Sequence, residues 1–339
     1  MLLTRAFAAR RMPMLEPLQS TRSISGAVVR YASHPSVHFH MSVFQAVVLS
    51  LLQGVSELFP VSSLGHAVLL PALLHWSSIR ESSNAWVAFL VALHIGTATA
   101  LFIYFWQDWR NVVLALVRSV RKGELGADHD QRLAWMVILG TIPAGLVGFI
   151  LEKPLKSLFA SPYVAASFLI VNGAIMFAGE WLIKRQLATA ATTRNTAVSD
   201  GWPEPGRYRD ITQLSWRDAA IVGFAQVGAL IPGISRSGVT MVGGLVAGLD
   251  HRAAARYAFL LATPIIMAAG VLELPRLFGS AGRPILGDAI LGMVLAGIAA
   301  YVSVRYLMRY FEFGNRLFPF AVYSVAAGAL SLVLLGSGL

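Results

Sequence analysis

The chain has 339 residues, of which 56% are hydrophobic and 13% charged, with 27 basic and 17 acidic side chains and no cysteine. Soluble domains carry about 25% charged residues, so this chain is short of the polar surface needed to face water, and a mean hydropathy of +0.64 marks an all-α polytopic membrane protein. Apolar runs near the ~20 residues that cross a bilayer exclude the ~10-residue alternating strands of a membrane barrel. Missing thiols exclude disulfides and thiolate chemistry, and the net charge of +10, held mostly between apolar spans, suits lipid headgroups and not nucleic acid.

Residues 1–42 hold Arg5, Arg10, Arg11, Arg22 and Arg30 against one acid, Glu16. A targeting segment has this composition, and so does upstream sequence taken in by a mistaken start. The second reading is favoured because Met41 stands immediately before the first apolar element. The stretch is expected to be disordered and dispensable.

Residues 43–75 form an apolar arm, a break at Pro60 and a second short arm, each too short to span. Paired half-elements of this kind read as a re-entrant hairpin, whose broken backbone must be sheltered by protein or line a wet cavity. Three long apolar segments follow, Ala85 to Trp106, Leu133 to Leu151 and Tyr163 to Ile183, with polar connections at 107–132 and 184–217. The pattern then restarts: arms at Ala219 to Leu230 and Val239 to Leu249 flank Pro232-Gly233, and the segments Ala253 to Leu274, Ile285 to Leu307 and Phe318 to Leu335 complete it. Gln53-Gly-Val-Ser is echoed by Gln226-Val-Gly-Ala, and Thr-Ile-Pro143-Ala by Ala-Thr-Pro264-Ile. The chain therefore divides into repeat unit one (43–183), a connecting loop (184–217) and repeat unit two (218–339), with hairpins at 43–75 and 218–249. About six transmembrane helices plus two re-entrant helical hairpins are expected.

Three crossings per unit start the second unit on the opposite face, so the two hairpins enter from opposite sides and meet near the midplane as an inverted-topology repeat. In that arrangement sixteen basic residues fall in cytoplasmic connections and five in outer ones, as the positive-inside rule requires. The five arginines of residues 1–42 would lie outside and oppose it.

Two polar islands interrupt the apolar sequence: Gln53-Gly-Val-Ser-Glu57-Leu-Phe-Pro60-Val-Ser-Ser63-Leu-Gly-His66 and Pro232-Gly-Ile-Ser235-Arg236-Ser237-Gly238. Ionisable groups in such surroundings are costly unless a protein-lined cavity receives them, so the two islands are expected to form one site. Ser63 and His66, three apart, share a helix face and suit a nucleophile with its base. Ser63 or Ser62 equally suits a helix cap, and His66 as nucleophile or an activated water stays open. Arg236 has no acid near it in sequence; its planar fork fits phosphate oxygens, with Ser235, Ser237, Gly238 and free helix amides as further donors. A structural pair between Arg236 and Glu57 is the alternative. Glu57 suits a metal ligand, a proton donor or the orienter of His66 or Arg236, and sequence alone does not separate these. Gln53, one turn earlier, offers an oxygen ligand without charge, and Gln226 has the chemistry to face the same cavity. His94 is a weaker candidate, and Glu180 and Glu273 read as interface residues.

The two islands resemble the signature motifs of undecaprenyl-diphosphatase, the bacitracin-resistance family of integral membrane polyprenyl-diphosphate phosphatases, and the likeness runs over about 43–335. The resemblance implies hydrolysis of the lipid carrier diphosphate to the monophosphate at the outer face of the bacterial plasma membrane, recycling the carrier for peptidoglycan synthesis. It also implies a divalent cation, Mg or Ca, and an inverted repeat with re-entrant helices. Position by position it makes Glu57, Ser63, His66, Ser235 and Arg236 active-site residues. The family usually has glutamate where this chain has Gln53 and threonine where it has Leu64; the lost carboxylate leaves open a changed metal or pH dependence. Expected partners are a long-chain polyprenyl diphosphate and membrane lipids, with a homodimer left open. The rival readings are a transporter or flippase of polyprenyl phosphate or another organic anion, and a non-catalytic lipid-binding scaffold.

Overall fold

The computed structural model describes residues 41–76, 84–151, 161–194, 209–279, 282–314 and 316–338. The expectations for 1–40 and for 195–208 of the connecting loop lie outside them. Among the described residues the chain is helical, with one isolated bridge between Arg209 and Leu249. The helices are α1 (Val43–Ser56), α2 (Ser63–Leu73), α3 (Asn84–Tyr104), α4 (Trp106–Lys122), α5 (His129–Ile150), α6 (Pro162–Arg194), α7 (Trp216–Ala225), α8 (Arg236–Val246), α9 (His251–Phe278), α10 (Leu286–Glu312) and α11 (Phe318–Ser337).

Six of them, α3, α5, α6, α9, α10 and α11, are long and apolar enough to cross a membrane, and they match the six long segments read from sequence. The four short arms are α1, α2, α7 and α8, of 14, 11, 10 and 11 residues. Each pair of arms starts with the same device. Ser42 and Gln45 form a capping box at α1, and Ser215 and Asp218 form one at α7. Such a box satisfies two orphan amides reciprocally. The second arms also match: Ser62 caps α2 through the Gly65 amide and Ser235 caps α8 through the Gly238 amide, each at 3.2 Å.

Packing interleaves the two halves of the sequence. Helix α3 lies along α10 and against α9, α6 lies along α11, α1 packs on α10, and α5 packs on α7. Small residues allow the close crossings: a Cβ on Gly96 would fall 2.0 Å from the Met293 carbonyl oxygen, which is the small-residue contact expected where apolar lipid gives helices no hydrophobic drive to associate. The main apolar cluster, with Leu101, Phe105, Met136, Tyr257 and Phe259, is fully buried between these helices.

Two expectations change. The stretch 107–132 is not merely a polar connection, because Trp106–Lys122 is helical and buries Trp109, Val112, Ala115 and Ser119. Its opposite face exposes Val113, Val117 and Val120 beside Arg110 and Arg121. That mixture reads as loop in composition but has helical periodicity. Glu180 is not a bland interface residue either. It is 8% exposed, and its carboxylate accepts from His251 Nε2 at 2.8 Å and from the Leu317 amide at 2.7 Å, tying α6 to α9 and to the start of α11.

Candidate active site

Both breaks fold onto each other. The first leaves α1 at Glu57, whose amide still donates to the Gln53 carbonyl at 2.9 Å, and turns through Pro60 to Ser62 at φ +68°. A non-glycine residue at such a φ costs about 1–3 kcal/mol, and the cap that Ser62 makes offsets roughly 1 kcal/mol of it. Gly233 makes the corresponding turn in the second break at φ +98°. A Cβ there would fall 2.3 Å from the Ala165 carbonyl oxygen, and one on Gly65 would fall 3.0 Å from Gly233 Cα. The breaks approach so closely because neither residue carries a side chain.

Asn172 of α6, fully buried, joins them. Its amide donates to the Pro60 carbonyl at 2.9 Å and its oxygen accepts from the Ser235 amide at 2.9 Å; Ser324 Oγ lies 3.3 Å from the same nitrogen. This residue was missed in the sequence because an asparagine within a long apolar helix gives no hint of which distant backbone groups it will meet.

Glu57 is the centre of the polar cluster, with its side chain 6% exposed. Arg236 Nη2 pairs with Oε1. Oε2 accepts from Ser63 Oγ at 2.5 Å and from Gln53 Nε2 at 3.0 Å, and His94 Nε2 stands 3.4 Å away. Ser237 Oγ donates to the Glu57 carbonyl at 3.3 Å and lies 3.0 Å from Ser235 Oγ. A cavity of about 290 Å³ opens over this cluster, lined by Glu57, Ser62, Ser63, His94, Ser235 and Arg236. Its remaining wall is apolar, including Leu64, Val91, Ile265 and Ile266, with Gln226 beside them.

Of the expected site residues, the fold therefore brings Glu57, Ser63, Ser235 and Arg236 to one cavity. Gln53, Ser237 and Gly238 stand behind them, and the Gly238 amide is taken by the Ser235 cap. His66 goes elsewhere. Its Nδ1 faces the Ser62 carbonyl at 2.7 Å and its Nε2 the Tyr323 hydroxyl at 2.8 Å, with the two rings stacked at 5.7 Å between centroids. Because a carbonyl only accepts, Nδ1 carries the hydrogen and Nε2 takes the one from tyrosine. The Ser63–His66 contact expected from their spacing is not among the hydrogen bonds of the described residues. His94, the weaker candidate, takes the place beside Glu57.

The donor set does not fit a divalent cation. Hard cations need several oxygen ligands, usually more than one of them anionic, and among the described residues no three His, Cys, Asp or Glu side chains cluster as ligands. Both oxygens of the single carboxylate are already engaged, one of them by a guanidinium. What the arrangement can do is hold an anion: an Arg fork and two helix N-termini face a hydroxyl already bonded to a base.

Residues 46–330 match the family described as bacitracin resistance protein BacA. The chain is 45% identical over 304 residues to the undecaprenyl-diphosphatase of Mycolicibacterium paratuberculosis, covering 87% of this chain and 98% of that one. Against the undecaprenyl-diphosphatase of Acidiphilium cryptum it is 46% identical over 302 residues, covering 88% and 100%. Against undecaprenyl-diphosphatase 2 of Burkholderia orbicola the figures are 48% over 294 residues, covering 86% and 96%. The chain belongs to the BacA family of multi-pass membrane proteins.

Proposed function

We propose that the chain hydrolyses undecaprenyl diphosphate, or a polyprenyl diphosphate of similar length, to the monophosphate and phosphate, and so returns a lipid carrier to cell-wall synthesis. The observation that carries this reading is that Ser63 and Arg236, from two distant breaks, close on one carboxylate over a cavity whose other wall is apolar. A phosphorylated head needs the first surface and a hydrocarbon tail the second.

In the reaction the diphosphate draws the free edge of the Arg236 fork, and Ser235 with the helix N-terminal amides gathers the terminal phosphoryl oxygens. Ser63 Oγ attacks that phosphorus in line. Its proton passes to Glu57 Oε2, the Oγ–P bond forms, and the P–O bond to the lipid monophosphate breaks with the electron pair leaving on that oxygen. Water then attacks the phosphoserine. Glu57, having given its first proton to the departing monophosphate oxygen, takes one proton from the attacking water and hands it to Ser63 Oγ as the Oγ–P bond breaks and phosphate departs. His66 holds the Ser62 turn that aims Ser63 and carries no proton in this scheme.

The membrane arrangement we assign is an inverted repeat with two re-entrant hairpins in a bacterial inner membrane, the cavity opening outward. Equivalent packing supports it: α1 sits on α10 as α7 sits on α5, and α2 meets α11 as α8 meets α6. The bias of basic residues toward one face supports the orientation.

Purified protein in detergent, given a long-chain prenyl diphosphate, is expected to release phosphate, and Ser63→Ala to abolish release and the acid-stable or trapped phosphoserine together. Movement of uncleaved lipid across sealed vesicles with no phosphate released would replace the hydrolase reading by the transporter one.

A further inference from the structure

Resting on that hydrolase reading, we infer that His94 is a positioning residue whose imidazolium, beside Glu57, gives the site its second positive charge, so that this chain cleaves its diphosphate without a bound divalent cation. His94 sits in the middle of α3, lines the cavity with Ser63 and Arg236, and is 26% exposed in its side chain. Its Nδ1 lies 2.7 Å from the Leu90 carbonyl oxygen, and its Nε2 lies 3.4 Å from Glu57 Oε2. Both neighbours are acceptors only, and a neutral ring would turn a lone pair toward one of them. Both ring nitrogens therefore face acceptors, the arrangement that an imidazolium satisfies with a hydrogen on each.

The charge count follows from these contacts. At rest Glu57 is balanced by Arg236 and His94 together. When Ser63 passes its proton to Glu57, the carboxylate becomes neutral, and two fixed cations are left facing the phosphoryl group as its charge develops. Charge placed in advance and held away from water stabilises a transition state at no cost of reorganisation, which is the service a metal ion gives elsewhere. A divalent ion added at the same place would meet two cations and one carboxylate. Gln53 reinforces the point, since it approaches Glu57 through its amide nitrogen at 3.0 Å as a hydrogen-bond donor and brings no second carboxylate.

The test uses full-length purified protein and a long-chain prenyl diphosphate, with phosphate release measured in chelator and in a series of Mg²⁺, Ca²⁺ and Mn²⁺. The native chain is expected to keep its kcat within about twofold in chelator. His94→Ala is expected to lose about 100-fold in kcat with KM changed by less than threefold. The double variant Gln53→Glu with His94→Gln, which has two carboxylates and one cation fewer, is expected to work only when a divalent ion is supplied. Mn²⁺ titration followed by electron paramagnetic resonance, on variants that elute as monodisperse protein, gives a readout independent of turnover: no stoichiometric site in the native chain, one in the double variant. A native chain that loses more than tenfold in chelator and recovers with a cation overturns the inference. So does stoichiometric Mn²⁺ in the native chain, or full kcat in His94→Ala. No hydrolysis by the native chain under any condition overturns the hydrolase reading itself, and this inference with it.

Discussion

Ser63 and Arg236 are the first residues of α2 and α8, each one step past a capping serine, and they bond to the two different oxygens of Glu57. Matching positions just after the two breaks therefore carry different chemistry. The first break holds hydroxyl and carboxylate. The second holds the cation, with Leu230 on the cavity wall at the spacing from Gln226 that Glu57 has from Gln53. The equivalence places both residues beside exposed helix amides, where an anion is favoured by the aligned peptide dipoles.

Arg236→Lys keeps the charge and removes the fork that reaches Glu57 and a phosphoryl group together. Phosphate release is expected to fall at least ~100-fold in kcat/KM, because planar bidentate geometry is what lysine lacks. Steady-state kinetics on prenyl diphosphate checks this, and wild-type turnover would remove Arg236 from its assigned role.

Glu57→Gln keeps the shape and abolishes the proton acceptor of Ser63. The expected loss in kcat is on the order of 10²–10⁴-fold, the usual contribution of general acid–base catalysis. The variant also leaves the part-buried Arg236 without its counter-charge, at less than the ~3–5 kcal/mol of a fully buried pair, so thermal unfolding in detergent should shift down as well. Retained turnover in a destabilised protein would assign Glu57 to structure alone.

Asn172→Ala strips the Pro60 carbonyl and the Ser235 amide of their shared partner. Each unsatisfied buried group costs about 1–3 kcal/mol. A lowered melting temperature is expected together with a fall in kcat, since both breaks lose their registration. Asn172→Asp, which can still accept from Ser235, should be milder in melting temperature than alanine; equal losses would deny the two-ended role.

Tyr323→Phe removes the hydroxyl that His66 Nε2 accepts. If His66 only steadies the Ser62 turn, the cost is near the ~1 kcal/mol of one hydrogen bond, and activity changes less than tenfold with an unaltered pH–rate profile. A steep rise in activity on freeing that nitrogen would return His66 to the role of base.

Gly233→Ala is expected to yield no monodisperse protein. It imposes a left-handed turn on alanine and drives its Cβ to 2.3 Å from the Ala165 carbonyl oxygen, and backbone on both sides leaves no flexible atom to give way. Recovery of a folded, active variant by size exclusion would mean that the two breaks are not held this tightly.

The sequence by itself determined where the long apolar segments lie, where they break, and that Glu57, Ser63 and Arg236 stand as polar groups amid apolar sequence. Apolar run length, a proline or glycine at each break and charge amid hydrocarbon are local properties, and local periodicity and composition report them faithfully. Helix α4 was obscured because its polar face averages with its apolar one. Only the tertiary structure decided the partners. Spacing put Ser63 and His66 on one helix face, yet the ring turned to Tyr323, 257 residues along the chain, and His94 reached Glu57 from another helix. Asn172 became the tie between two backbones 63 and 112 residues from it. A hydrogen-bonding side chain goes to the donor or acceptor that packing brings within 3 Å, and packing between distant helices leaves no periodic mark in the residues that make it.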